Sequence, residues 1–154
     1  MHDASGGAEF VAARAEHVAF EAGTEHLACL SLSEKGLLRW YAACCNTPIA
    51  NTTRDWKFPY VGIIRTCLMA DSASFQRSFP RVQMRVNTTS AKQAPQSMLL
   101  QTIVTLMGFM SRVIASRISG AYRRTPFFVS PEGLPRTQVY VLSESERKRA
   151  YSDA

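Results

Sequence analysis

Lys35–Asn51, KGLLRWYAACCNTPIAN, is the most informative part of the chain, because a strand-like apolar run ends there in two adjacent cysteines. The run Leu37–Cys44 is mainly apolar, and Cys44 and Cys45 are followed by an Asn-Thr-Pro sequence that is typical of a turn. Thiols at the end of a strand, next to a turn, are arranged as in a zinc knuckle.

A second apolar run precedes this one and predicts its partner strand. His26–Leu32 is separated from Leu37–Cys44 by Ser33–Gly36, four turn-forming residues that end in glycine. Two apolar runs joined in this way predict an antiparallel hairpin. If Leu32 faces Leu37, the antiparallel register places Cys29 opposite Trp40 and Leu27 opposite Ala42.

The rest of the chain predicts further strands and one long helix. We expect short alternating strands in Glu9–Ala15 and Glu16–Ala22, a central strand in Pro59–Leu68 and a shorter one in Phe79–Val86. Residues 87–97 are rich in turn formers and predict an exposed loop. After a Ser-Pro-Glu-Gly turn, Gln138–Leu142 predicts a strand, and Ser143 with Glu146 predicts the capping box of a terminal helix.

Met98–Ile118 predicts a long amphipathic helix. Its broad apolar surface includes Leu100, Leu106 and Met110, which favours packing against the core. A membrane span is disfavoured because Thr, Gln and Ser interrupt the segment and Arg112 and Arg117 follow. Peripheral membrane contact or a groove on a partner remain as alternatives.

Composition sets the class of protein. A chain of 154 residues, 46% of them hydrophobic, suits a single domain over residues 1–154. The polar N-terminus differs from a secretion signal, and four cysteines are few for a disulfide scaffold, so we expect a cytoplasmic protein. Met1–Glu34 holds one Arg against six acidic residues, and Arg54–Lys92 holds seven basic against two acidic residues. Because the basic residues alternate with apolar ones as on a solvated strand, nucleic-acid binding is not favoured.

The segment around the cysteine pair resembles the central hairpin of the glutathione-dependent formaldehyde-activating (centromere protein V-like) zinc family. That family carries Arg-aromatic-Cys-x-x-Cys-Gly-Thr at this point. Here Arg39 and Trp40 match its start, Ala42 stands in place of the first cysteine and Cys45 fits the second. The closest resemblance is to an uncharacterised bacterial branch with a double cysteine.

The resemblance implies a fold and a partial metal site. It implies a mainly β, α+β fold of the β-tent type, in an N-terminally truncated form, because the family's front cysteine clusters do not occur in this sequence. It implies zinc as cofactor, with Cys45 as the firmest ligand, Cys44 as its neighbour and Cys29 as a substitute for the ligand lost at Ala42. Burial of Cys29 and Cys67 as small apolar residues is the alternative reading, and it is favoured for both.

The activity that the resemblance implies is carbon-sulfur lyase chemistry with a small thiol such as glutathione. It would need further cysteines from an upstream segment, so the chain as given is expected to be a truncated or degenerate zinc-binding protein. Arg39 is a candidate to bind a carboxylate beside the cysteine turn. The alternative, with Arg39 as an exposed strand residue and Trp40 in the core, is favoured. A non-catalytic interaction module is the remaining alternative, and self-association through an exposed sheet edge is expected.

Overall fold

The computed structural model describes residues 9–68, 75, 77–79 and 99–152. Within these ranges the chain is an α+β protein, mainly β, and this confirms the predicted fold class. The strands are β1 (Phe10–Arg14), β2 (Leu27–Ser31), β3 (Leu38–Ala42), β4 (Thr47–Thr52), β5 (Tyr60–Ile64), β6 (Phe128–Val129), β7 (Leu134–Pro135) and β8 (Val139–Val141). The α-helices in these ranges that extend over several turns are α1 (Leu99–Ser119) and α2 (Glu144–Ser152).

One mixed sheet organises these elements. Its strand order is β1-β5-β4-β3-β2-β8, and β6 and β7 form a separate two-stranded hairpin. The first five strands in this order, β1, β5, β4, β3 and β2, pair with one another in antiparallel fashion. The edge strand β8 lies parallel to β2. Because β3 is in the middle of the order, the turn that follows it is anchored by strands on both sides.

The predicted hairpin register is confirmed. Cys29 pairs with Trp40 and Leu27 pairs with Ala42 across β2 and β3. The two strands are half-buried, so a slip by one residue would move Trp40 from the core to solvent. Hydrophobic alternation and the short turn therefore define the pairing.

The end of this hairpin differs from the prediction. β3 ends at Ala42, and the residues from Ala43 to Asn46 form the turn. Cys44 was predicted to be the last residue of the strand, but it lies in the turn. The predicted turn residues Thr47 and Pro48 instead begin β4. A register shift between Trp40 and Tyr41 in the β3–β4 pairing accommodates Pro48, which has no N–H for a regular ladder.

Other strand predictions are corrected in length. β5 ends at Ile64, and the last residues of the predicted Pro59–Leu68 strand form a short 3₁₀ turn at Arg65–Cys67. Glu9–Ala15 contains β1, but Glu16–Ala22 holds no strand and begins within a 3₁₀ turn, Ala15–His17. The predicted strand Phe79–Val86, apart from Phe79, and the predicted loop 87–97 lie outside the described residues.

The core lies between the sheet and the β6–β7 hairpin. Trp40 and Phe127 are almost fully buried, and their rings are 5.1 Å apart between centroids. The Trp40 Nε1–H donates to Thr52 Oγ1 at 2.9 Å, so the indole loses no hydrogen bond on burial. Trp40 thereby fixes β3 against β4 immediately before the cysteine turn.

Helix α1 has nearly the predicted bounds, but the face that packs against the rest of the protein differs from the predicted one. Val113 and Ser116 are buried, and Phe109 packs edge-on against Phe58 and Tyr60. Apart from Val113, most of the wide apolar surface that was expected to cover the core is exposed, with Leu100 80% and Leu106 48% accessible. The expectation of a core helix was therefore wrong for that surface.

The C-terminal predictions are confirmed. The Ser143 N–H donates to Glu146 Oε2 at 2.8 Å, and the Glu146 N–H donates to Ser143 Oγ at 3.4 Å, which is a capping box. The predicted strand Gln138–Leu142 contains β8. The predicted turn joins β6 to β7, and Gly133 adopts a φ of 70° there.

Candidate functional site

The cysteine pair lies at the exposed end of the central hairpin. Cys44 and Cys45 occupy the turn between β3 and β4, and both side chains are exposed. The turn closes through a hydrogen bond from the Cys45 N–H to the Ala42 carbonyl, and Asn46 takes a left-handed φ of 55°. Asn tolerates this conformation better than most residues, which explains why the chain can reverse here.

The turn brings the two thiols together. The sulfur atoms of Cys44 and Cys45 are 3.6 Å apart. On an extended strand, adjacent side chains would point to opposite faces. The placement of the pair in a turn, two residues beyond the end of β3, is therefore what allows both sulfur atoms to approach one ligand.

Thr47 completes the local hydrogen-bond network. Its Oγ1 lies 3.0 Å from the Cys45 sulfur. Hydrogen bonds from the Thr47 hydroxyl, from the Thr47 backbone N–H and from the Cys44 thiol lower the pKa of Cys45. The Cys44 pKa is raised, first because this thiol donates its proton to Cys45. The arrangement thus favours a thiolate at Cys45 and a thiol at Cys44.

The other two cysteines have different surroundings. Cys29 is 2% exposed on β2, and burial raises its pKa to about 11. Cys67 is partly buried and donates to the Pro48 carbonyl at 3.1 Å, while burial raises its pKa. The structure therefore brings Cys44 and Cys45 together and places Cys29 in the core, opposite Trp40. The role of Cys29 as a metal ligand stays a prediction.

Arg39 does not lie beside the cysteine turn. It is exposed near the opposite end of β3, where it lines a shallow cleft with the β2–β3 turn and Arg147. Any carboxylate bound there would contact the two guanidinium groups at a distance from the thiols. Trp40, its neighbour, is in the core as the hairpin pattern predicts.

The site offers two sulfur ligands and open space. In the described part of the chain, no three His, Cys, Asp or Glu side chains are grouped as a metal site. None of the helices within the described ranges combines the length and hydropathy needed to cross a bilayer.

Thr47 is the residue beside the cysteine turn that the sequence analysis missed. Its signal is a hydroxyl two residues after a cysteine in a turn, the spacing at which short side chains bond to one another locally.

One of three comparisons with known proteins shows the family of the chain. Neither the curated proteins nor the solved structures include a match to it. A family model described as "Family of unknown function (DUF6151)" matches residues 1–126, which include the whole cysteine turn and helix α1. Because this match covers most of the chain, the protein belongs to the DUF6151 family.

Proposed function

We propose that the chain is a zinc-binding protein in which Cys44 and Cys45 supply two thiolate ligands to one ion. The observation that carries the proposal is the sulfur separation of 3.6 Å. Tetrahedral zinc with Zn–S bonds of about 2.3 Å holds two sulfur ligands about 3.8 Å apart. The two sulfur atoms therefore need to move apart by only about 0.2 Å to accept the ion.

The electrostatics of the turn support metal binding. Zinc binds thiolates, and the hydrogen bonds from Thr47 lower the pKa of Cys45 toward that state. Cys45 is thus the residue to which the ion binds first. For Cys44 to bind the same ion, its thiol would have to lose to water the proton that it donates to Cys45 in the free protein.

The two remaining positions of a tetrahedral ion are open in this arrangement. Water or a small thiol such as glutathione would fill them, and glutathione is the partner that the resemblance to the formaldehyde-activating family implies. Its thiolate would be a third sulfur ligand, a type that zinc accepts readily. We place this chemistry in the cytoplasm, where exposed thiols remain reduced.

The carbon-sulfur lyase activity of that family is a further step of the proposal. It would require additional cysteines, because the buried Cys29 is a poor thiolate. The chain as given is accordingly proposed to bind zinc in a truncated or degenerate form of the site, without turnover of its own. The interaction-module alternative is favoured by a separate observation, the exposed apolar surface of α1.

The experiment compares zinc content after purification and dialysis. The unmodified chain is expected to keep less than one equivalent of zinc, because water completes the coordination and lowers the affinity. Cys45→Ser should release the ion. Cys67→Ser is the matched control and should retain it, since Cys67 bonds to the Pro48 carbonyl and not to the pair. Atomic emission spectroscopy on samples from pH 8 to pH 5 should show retention falling as the thiolates take up protons.

Two results would contradict the proposal. Zinc retained in full by Cys45→Ser would show that the turn is not the site. A full equivalent held tightly by the unmodified chain and lost in Cys29→Ser would show that Cys29 completes the coordination. Cobalt substitution distinguishes these cases from weak surface binding, because only thiolate ligands give an intense near-ultraviolet charge-transfer band.

A further inference from the structure

Helix α1 presents a continuous apolar surface to solvent. We call this surface the outer stripe and define it by six residues, Leu100, Ile103, Met107, Met110, Ile114 and Ile118. Their exposed fractions run from 38% at Met110 to 83% at Ile118. The helix is anchored by its opposite face, through Phe109 and Val113, so the outer stripe is held away from the sheet.

The spacing of the outer stripe is that of a helix-pairing surface. From Leu100 to Ile114 the steps are three, four, three and four residues, an average of three and a half. This is the repeat by which two helices keep one seam in contact as they cross at a shallow angle.

The exposed area matches what a dimer of modest size needs. With Val104 and Leu106 at its margins, 70% and 48% exposed, the outer stripe offers roughly 800 Å², which is about what each partner contributes to a standard interface. It also exceeds the apolar patches of a few hundred Å² that are common on monomers. Two methionines at its centre fit the composition of interface cores, where charged residues are depleted.

Symmetry and charge favour a second copy in antiparallel orientation. A two-fold axis between Met107 and Met110 would place Met107 against Met110 of the other copy and Ile103 against Ile114, so the apolar residues at the middle of each stripe meet one another. The exposed Arg117 borders the stripe at one end. Parallel helices would bring the two copies of Arg117 together, whereas antiparallel helices separate them by about 25 Å along the axis, beyond the Debye length at physiological salt.

We infer that α1 is a dimerisation helix, and that two copies of this chain associate through their outer stripes as an antiparallel pair. The surface is distinct from the sheet edge at which the sequence analysis expected self-association. The outer stripe contains no cysteine, so we expect dimerisation without zinc.

The test measures molar mass by light scattering after size exclusion, on the full chain. The unmodified protein should have twice the mass of one chain. Met107→Glu places a charge against the apolar Met110 of the other copy, close to the second introduced charge across the two-fold axis, and should give the mass of one chain, with unchanged helical circular dichroism because the residue is 69% exposed. Arg112→Glu is the matched control. It introduces the same side chain at an exposed position outside the outer stripe and should remain dimeric.

Cross-linking determines the orientation. In a Cys44→Ser/Cys45→Ser background, copies carrying Ile103→Cys are mixed with copies carrying Ile114→Cys. Oxidation should join residue 103 to residue 114 in preference to residue 103 with itself, and the reverse preference would overturn the antiparallel arrangement. A unmodified chain that is monomeric at tens of micromolar would overturn dimerisation altogether. So would a monomer that binds phosphatidylserine vesicles and loses that binding in Met107→Glu, since the stripe would then serve a membrane surface.

Discussion

At Cys45, hydrogen bonds to the sulfur determine the direction of the pKa shift, and solvent exposure alone does not. Cys44 and Cys45 are both exposed, yet their pKa values move in opposite directions, because Thr47 donates to one sulfur and the other thiol is itself a donor. Adjacent cysteines of equal accessibility thus become chemically unequal. The same asymmetry would allow one thiolate to capture a metal before the second is deprotonated.

Alkylation by iodoacetamide is predicted to follow this order. Only the thiolate reacts, so Cys45 should be modified before Cys44, and the buried Cys29 should be modified last. Thr47→Val removes the first cause of the lowered pKa and should move the pH midpoint of Cys45 alkylation upward. Peptide mass spectrometry at a series of pH values measures each site separately.

Thr66→Val is the control for this measurement. The Thr66 side chain bonds to Cys67, so the substitution should leave the Cys45 profile unchanged. Equal rates for Cys44 and Cys45 across the pH range would show that the hydrogen bonds do not separate the two thiols.

At the scale of elements, the β2–β3 hairpin could be predicted residue by residue and α1 only in its bounds. The hairpin register follows from local information, namely a four-residue turn and alternation that puts Trp40 on the buried side. Which face of α1 is buried depends on the side chains of the surface against which the helix packs. Phe109 contacts Phe58 and Tyr60, and Val113 is buried, so most of the larger apolar surface is left exposed. Sequence periodicity identifies two faces but cannot say which contacts are available.

Paired substitutions in α1 should reveal this orientation. Val113→Asp places a charge at a position that is 2% exposed and should lower the free energy of unfolding by roughly 3 kcal/mol or more. Leu106→Asp, at 48% exposure, should cost far less and leave the helix folded. Urea unfolding followed by circular dichroism compares the two. A larger loss for Leu106→Asp would restore the prediction that the wide apolar surface covers the core.

At the scale of the whole molecule, the candidate site was predicted in its residues but not in its geometry. Cys44 and Cys45 stand out in the sequence, but the strand was predicted to continue through Cys44, which would have turned the two thiols apart. The register shift at Trp40 and Tyr41, together with the left-handed Asn46, ends the strand two residues earlier. Such irregularities depend on contacts with β4, which the sequence analysis had assigned in part to a turn.

X-ray absorption at the zinc edge tests the central claim, that Cys44 and Cys45 bind one ion together. The chain is loaded with one equivalent of zinc and compared with Cys44→Ser/Cys45→Ser treated identically. The account predicts two sulfur neighbours at about 2.3 Å in the unmodified chain and their loss in the double variant, with oxygen or nitrogen in the other positions. A first shell of oxygen and nitrogen alone in the unmodified chain, or a sulfur shell that persists in the double variant, would contradict it.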